Sequence, residues 1–259
     1  MKILLTNESG CFAPGIIALA KALSTSFKQH RVCIVAPLNA MENVGHRFTA
    51  SKKPLRVEQY YVLSKVKIFS VSGTPCDCVT LALDKLLKSK PDLIISGIDS
   101  HNNRGETIYS SGVVAAAIEG TIQGIPSISV SAKITDPTDE KSYMSVANSF
   151  VRRLDYFVKS LPANTTLNVN YPQNFKSKNI KCVKLTDGLI NNKYQSEVNP
   201  FGVQYYWLKS PVMGFGLDAL EQRGDVYWLK KNYITVTPLK LDLTSYGAMP
   251  LLEAAGIKI

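Results

Sequence analysis

The chain lacks any apolar run approaching the ~18 residues that a membrane-spanning helix requires, and no signal-peptide pattern precedes its first strand-like segment. A cytoplasmic location with no membrane partner is the expectation. Paired cysteine spacing is missing too: Cys11, Cys33, Cys76, Cys78 and Cys182 are odd in number and form neither a disulfide framework nor a zinc site. They read as reduced thiols, mostly small apolar fillers. Even Cys76-Asp77-Cys78 is one residue short of a ligand pair, and no second pair completes it. No Gly-x-Gly-x-x-Gly loop follows the first strand, which argues against a dinucleotide oxidoreductase. Acidic residues are scarce beside basic ones, 20 against 30, leaving a formal net charge of +10. That field concentrates anionic ligands. No basic stripe interleaved with aromatics accompanies it, so nucleic acid is not an expected partner.

What is present is an ordinary globular composition of 259 residues, 45% hydrophobic, enough for a single α/β domain that needs no covalent staple. Strand signals at Ile3 to Thr6, Val32 to Ala36, Val66 to Val71, Leu93 to Ser96 and Ser127 to Val130 alternate with helical patterns near 14 to 29, 75 to 88, 111 to 123 and 142 to 160. This alternation predicts right-handed βαβ units and a doubly wound, mostly parallel sheet. Pro14 and Pro75 suit a helix's first turn.

From about residue 166 the pattern changes. Thr166 to Asn170 reads as one more strand, after which helix signals nearly vanish. Two aromatic segments, Val203 to Leu208 and Asp225 to Leu229, read as strands flanking a stretch with Gly214 and Gly216, and together predict a protruding β-hairpin arm. An exposed aromatic ribbon invites a covering partner, so a homo-oligomer is expected.

Four loops at strand ends gather chemistry: Asn7 to Gly10, Pro37 to Gly45, Ser72 to Asp77 and Ser96 to Gly105. In open α/β sheets the carboxyl ends of strands are where ligands bind. Glu8, Glu42 and Asp99 bring carboxylates from three of these loops, the hard oxygen set that Mg²⁺, Mn²⁺ or Ca²⁺ requires. Ser110-Ser111-Gly112-Val113 then opens an alanine-rich helix. Its start is either a phosphate cradle of free N–H groups or an ordinary serine N-cap.

These residues resemble the SurE survival-protein family, metal-dependent 5′(3′)-nucleotidases that hydrolyse nucleoside monophosphates. The resemblance covers nearly the whole chain. It is carried by Leu5 to Gly10 with Ala13-Pro14-Gly15, Val35-Ala36-Pro37, Gly45-His46 with Thr49, Gly73 to Val79, Pro91 to Ile98, Asn103 with Gly105, Ser111-Gly112, Glu119-Gly120, Leu167 to Pro172 and Thr237-Pro238-Leu239. It implies a single SurE-like domain over 1–259: a Rossmann-like three-layer core over 1–175, and a β-hairpin arm with a C-terminal segment over 176–259 that exchange between subunits to give dimers or tetramers.

By the same resemblance, the divalent ion, Mg²⁺ or Mn²⁺, is expected at the places that Glu8, Ser9, Glu42 and Asp99 occupy, with Glu8 and Ser9 as catalytic residues. Asn103, Ser111 and Gly112 are expected to bind phosphate. None of the four ligand places carries the family's usual residue, which is an aspartate pair, a serine and an asparagine. Ser9 removes a carboxylate, while Glu42 and Asp99 each introduce one. Either a carboxylate-rich metal site has been rebuilt, or the site has lost catalysis and the chain is a nucleotide- or protein-binding module. Val113 replaces a threonine hydroxyl, and His101 and Arg104, where the family has a glycine and an aliphatic residue, read either as sources of positive charge toward a phosphate or as residues of a solvated loop.

Overall fold

The computed structural model describes residues 1–26, 30–49, 53–62, 66–187, 190–213 and 223–257. In chain order its strands are β1 (Lys2–Thr6), β2 (Arg31–Pro37), β3 (Val57–Val62), β4 (Val66–Val71), β5 (Leu93–Asp99), β6 (Ser127–Ala132), β7 (Thr165–Tyr171), β8 (Ile180–Cys182), β9 (Ile190–Val198), β10 (Gln204–Met213) and β11 (Ile234–Lys240). Nine of them form the central sheet, in the order β3-β4-β2-β1-β5-β6-β7-β11-β8. All neighbours run parallel except β3 with β4 and β7 with β11. β5, in the middle, is buried along its full length, which is why Leu93, Ile94 and Ile95 open it without alternation.

Helices cover both faces. On one, α1 (Pro14–Ser26) packs against α4 (Glu140–Val151), burying Ile16, Leu19 and Leu23 against Ile3, Leu5 and Phe150. On the other, α2 (Pro75–Leu81) packs against α3 (Gly112–Ile122) over Leu4, Val35 and Ile94. Each such fully buried Leu or Ile contributes about 1.5–3 kcal/mol, so the strand ends that carry the loops are firmly held. A short α5 (Leu154–Ser160) follows α4. Pro75 does stand in the first turn of α2, behind a capping box in which Thr74 and Asp77 exchange side chain and backbone hydrogen bonds. The 75 to 88 helix is α-helical only to Leu81; a π-turn over Ala82–Leu86 ends it.

The chain winds outwards from β1 in two directions: β1, β2 and β4 proceed one way, and β5, β6 and β7 the other. The reversal falls between β1 and β5, the switch point at which such sheets open a crevice. Gly15 matters here: a Cβ on it would come within 2.1 Å of the Ile98 carbonyl, so only glycine lets the start of α1 close onto the end of β5.

The face under α3 is unusual. Thr6, Ser96, Ser129, Asn168 and Thr237 stand side by side in register across β1, β5, β6, β7 and β11, all buried. Ala115, Ala116 and Ala117 of α3 are buried above the sheet, and their small side chains let the helix lie close to this polar row.

Two expectations for the second half need correction. Asp225 to Leu229 is not a strand but α6 (Asp225–Lys230). Its Asp225, Val226 and Leu229 are buried, a helical spacing, and the demand to bury them overrides the β-propensity of Tyr227 and Trp228. The hairpin is formed by β9 and β10, paired antiparallel as a separate two-stranded sheet. β9 is mostly polar and carries little strand signal in the sequence. Gly214 and Gly216 lie outside the described residues. A last helix, α7 (Met249–Ala254), exposes Leu251 and Leu252. The five cysteines are free thiols, as expected. Among the described residues no helix is long and apolar enough to cross a membrane.

Candidate active site

The carboxyl end of β1 turns sharply. Asn7 donates from Nδ2 to the Gly10 carbonyl at 2.8 Å and accepts from Gly10 N–H through Oδ1 at 3.2 Å, so the turn carrying Glu8 and Ser9 is closed from within. The backbone of this turn is also tied to the next loop: Met41 N–H donates to the Glu8 carbonyl at 2.7 Å. Glu8 itself is only 5% exposed.

Its carboxyl group sits between two partners. Oε2 accepts the Gly112 N–H at 2.7 Å, at the amino end of α3. On the other side it shares a hydrogen bond with Asp99, which β5 delivers from the adjacent strand and which is 6% exposed. Burial first, and then the Asp99 charge, raise the Glu8 pKa to about 9 against the weaker downward pull of the Gly112 amide. Burial also raises Asp99, opposed by hydrogen bonds from His101 N–H at 3.2 Å and Asn103 Nδ2 at 2.9 Å. Both shifts favour a proton on Glu8, with Asp99 as its neighbour and acceptor. Two adjacent buried carboxyl groups disfavour carrying two negative charges, and a proton or a cation between them relieves the repulsion.

Asn103 is held on every side. Its Nδ2 donates to Asp99 and to Ser131 Oγ, and its carbonyl accepts from Asn168 Nδ2 at 2.7 Å and Asn170 Nδ2 at 2.9 Å. Ser111 is the N-cap of α3: its Oγ accepts Val114 N–H at 3.1 Å, which leaves the hydroxyl proton to donate elsewhere. The N-cap role of Ser111 thus leaves its hydroxyl proton uncommitted by that bond.

Gly112 lies so close to Glu8 that a Cβ would meet Oε2 at 2.8 Å.

Of the four expected ion ligands, Glu8 and Asp99 come together. Ser9 follows Glu8, half-buried, and Glu42 is exposed and reaches Glu8 through its charge. Among the described residues no group of three or more His, Cys, Asp or Glu is placed to hold an ion. The paired carboxylates, with the hydroxyl at Ser9, are nevertheless the hard oxygen donors a divalent cation takes, and the charge they lack is the charge such an ion brings. His101, at 78% side-chain exposure, and half-buried Arg104 occupy the loop beyond Asp99.

Four residues outside the expected set of site residues support this site. Asn168 and Asn170 grip the Asn103 carbonyl. His46 and Glu119 join α3 to the loop that follows β2 and carries Glu42, with Nε2 and Oε2 2.8 Å apart. Both pairs stand in motifs visible in the sequence, yet an asparagine in a buried strand or a lone histidine carries no signal of what it will meet.

A two-way wound sheet with an acidic pair at its switch point, facing a helix amino terminus, defines the class: a doubly wound α/β protein whose polar residues gather at the carboxyl ends of its strands. The family model described as Survival protein SurE matches residues 3–195. The chain is 38% identical over 261 residues to the 5′-nucleotidase SurE of a Thermoanaerobacter species, covering 100% of both. It is also 38% identical over 258 residues to the 5′-nucleotidase SurE of Campylobacter jejuni, covering 96% of this chain and 95% of that one. The crystal structure of the SurE protein from Aquifex aeolicus superposes with a TM-score of 0.77 at 33% identity, covering 99% of this chain and 100% of the other. The chain belongs to the SurE family.

Proposed function

We propose that this chain is a 5′-nucleotidase, a divalent-metal-dependent phosphomonoesterase that converts nucleoside 5′(3′)-monophosphates and water into nucleoside and phosphate. The observation that carries the reading is the Glu8–Asp99 pair, buried at the switch point and set against the first amide of α3. The names of its relatives favour this enzyme over a module that only binds.

Glu8 and Asp99, with Ser9 and Glu42 beside them, are the residues that would hold Mg²⁺ or Mn²⁺. Such an ion, when bound, supplies Lewis acidity toward a phosphoryl oxygen and lowers the pKa of a water. The chain's own part is orientation and charge. Ser111, whose Oγ accepts from Val114 N–H, keeps a hydroxyl proton it can donate to the phosphate, and the amino end of α3 offers its dipole to it. Asn103, locked by Asp99, Ser131, Asn168 and Asn170, holds the loop beyond β5 in place beside Asp99. Water completes the hydrolysis, and no covalent intermediate on Ser111 is needed.

The hairpin supports a homo-oligomer, a dimer or a tetramer, because Tyr194, Tyr206 and Trp207 are more than half exposed on it. A cytoplasmic setting suits the reduced thiols. The test is phosphate release from 5′-AMP and 3′-AMP by purified protein, with Mn²⁺ or Mg²⁺ and after chelation. Metal-stimulated release is expected; no release from any nucleotide under any of these conditions overturns the reading.

A further inference from the structure

The hairpin arm leaves the core and returns to it at one spot. Thr186 precedes β9 and Asp225 follows the arm as the first residue of α6. Asp225 is fully buried, at 0% exposure. Its Oδ1 accepts Thr186 N–H at 3.0 Å and Val226 N–H at 2.8 Å, while its own N–H donates to the Lys184 carbonyl at 3.0 Å. Both roots of the arm are therefore closed by this one residue. Gly224 packs so tightly there that a Cβ would fall 2.4 Å from Thr186 Oγ1.

The second oxygen of Asp225 faces away from the arm. Oδ2 accepts the N–H of Gly105 at 2.8 Å, from a residue 120 positions earlier in the chain. Gly105 is two residues past Asn103 and begins the 3-10 turn Gly105–Tyr109, which leads directly into Ser111 and α3. The Asn103 carbonyl is fixed by Asn168 and Asn170, and the Gly105 amide by Asp225, so the loop is gripped at two successive points from different parts of the fold.

We infer that Asp225 is a positioning residue for phosphate recognition, the point at which the hairpin arm sets the placement of the loop from Asn103 to Ser111. It acts through Gly105 and the backbone, not on the substrate. A carboxylate is required because both of its oxygens accept. An amide in its place has one acceptor for Thr186 and Val226, and its NH₂ group would confront the Gly105 N–H, donor against donor. A buried amide left without its acceptor forces the loop to move.

The kinetic arm of the test rests on the phosphomonoesterase reading; the structural arm does not. In Asp225→Asn, the KM for 5′-AMP is expected to rise about tenfold with kcat within about threefold, because the loop between Asn103 and Ser111 shifts while its ends stay held, Asn103 by Asp99, Ser131, Asn168 and Asn170 and Gly112 by Glu8. Thr186→Val removes the Val226 N–H bond to Thr186 Oγ1 at the same junction but leaves the Asp225–Gly105 bond, and is expected to keep the wild-type KM. A loss of kcat at unchanged KM in Asp225→Asn, the mark of a smaller folded fraction, overturns the inference. Amide hydrogen exchange on the wild-type protein needs no variant to fold: Gly105 N–H is expected to be protected, and free exchange there overturns the inference as well. Should the wild type release no phosphate, the functional reading falls, and the exchange of Gly105 still decides whether Asp225 holds the loop.

Discussion

Glu8 and Gly112 are joined at 2.7 Å, carboxyl oxygen to backbone amide, across 104 residues of chain. Through this contact the end of β1 is fastened to the start of α3, and the acid that would hold an ion is also a helix-terminus ligand. The consequences of that double duty are measurable.

The first concerns pH. With the Glu8 pKa raised to about 9 by burial and by Asp99, the folded state holds a proton that the unfolded chain releases near its ordinary value of 4.5. Stability from this group is therefore greatest at and below that value and is lost as pH rises towards 9. Metal-free wild type is expected to melt at least roughly 2–4 °C lower at pH 9 than at pH 5 relative to Glu8→Gln, the shift that about 1 kcal/mol produces in a chain of this length. The amide introduced by that change can still accept from Gly112 and donate to Asp99 without titrating. Parallel melting profiles for the two proteins would contradict the assignment.

Glu42 separates activity from stability. Its side chain is exposed, so Glu42→Ala should alter the unfolding free energy by no more than about 0.5 kcal/mol. As a proposed ion ligand, its loss should abolish metal-dependent turnover. Urea unfolding and phosphate release on the same preparation check both, and surviving activity removes Glu42 from the site.

The contact between His46 and Glu119 predicts an acid-dependent loss. The His46 hydrogen bond is the largest of the effects that hold Glu119 below its ordinary carboxylate range, with Gln123 assisting and burial opposing. A carboxylate depressed in this way stabilises the fold above the ordinary range, and the contribution disappears as pH falls through the lowered value. His46→Ala is expected to cost about 1 kcal/mol at pH 7, since the histidine is partly exposed. The deficit should close in acid, and chemical denaturation at both pH values reads it.

For the arm, Trp207→Glu is the informative change. Trp207 is 59% exposed, so a charge there costs the subunit little but opposes burial against a second copy. Light scattering is expected to show a smaller species than wild type. An unchanged mass would place the subunit contact elsewhere.

The core was readable because its strands are buried on both faces: Ile3 to Leu5 and Leu93 to Ile95 announce themselves by unbroken apolarity, and Pro14 and Pro75 mark helix starts. Glu8 and Asp99 could be named because they end such strands. Their hydrogen bond to each other could not, since adjacency of β1 and β5 is a property of the strand order. Asp225 misled for a related reason. Its aromatic neighbours speak for a strand, whereas its structure is decided by acceptors owed to Gly105 and Thr186, residues far from it in the chain. The polar row of Ser96, Ser129, Asn168 and Thr237 was hidden likewise, each residue looking like an ordinary interruption of its own strand.

The switch point between β1 and β5 also sets the order in which the site can come into being. The carboxyl groups of Glu8 and Asp99 cannot face each other until β1 has paired with a strand some ninety residues distant, after β2 and β4 have been laid down between them in sequence. Pairings of such long range are slow steps in folding. A ligand that requires both acids therefore recognises only chains in which the two wings of the sheet have joined. Its binding draws the equilibrium towards that joined state by mass action, so occupancy of the site marks chains in which β1 and β5 have paired.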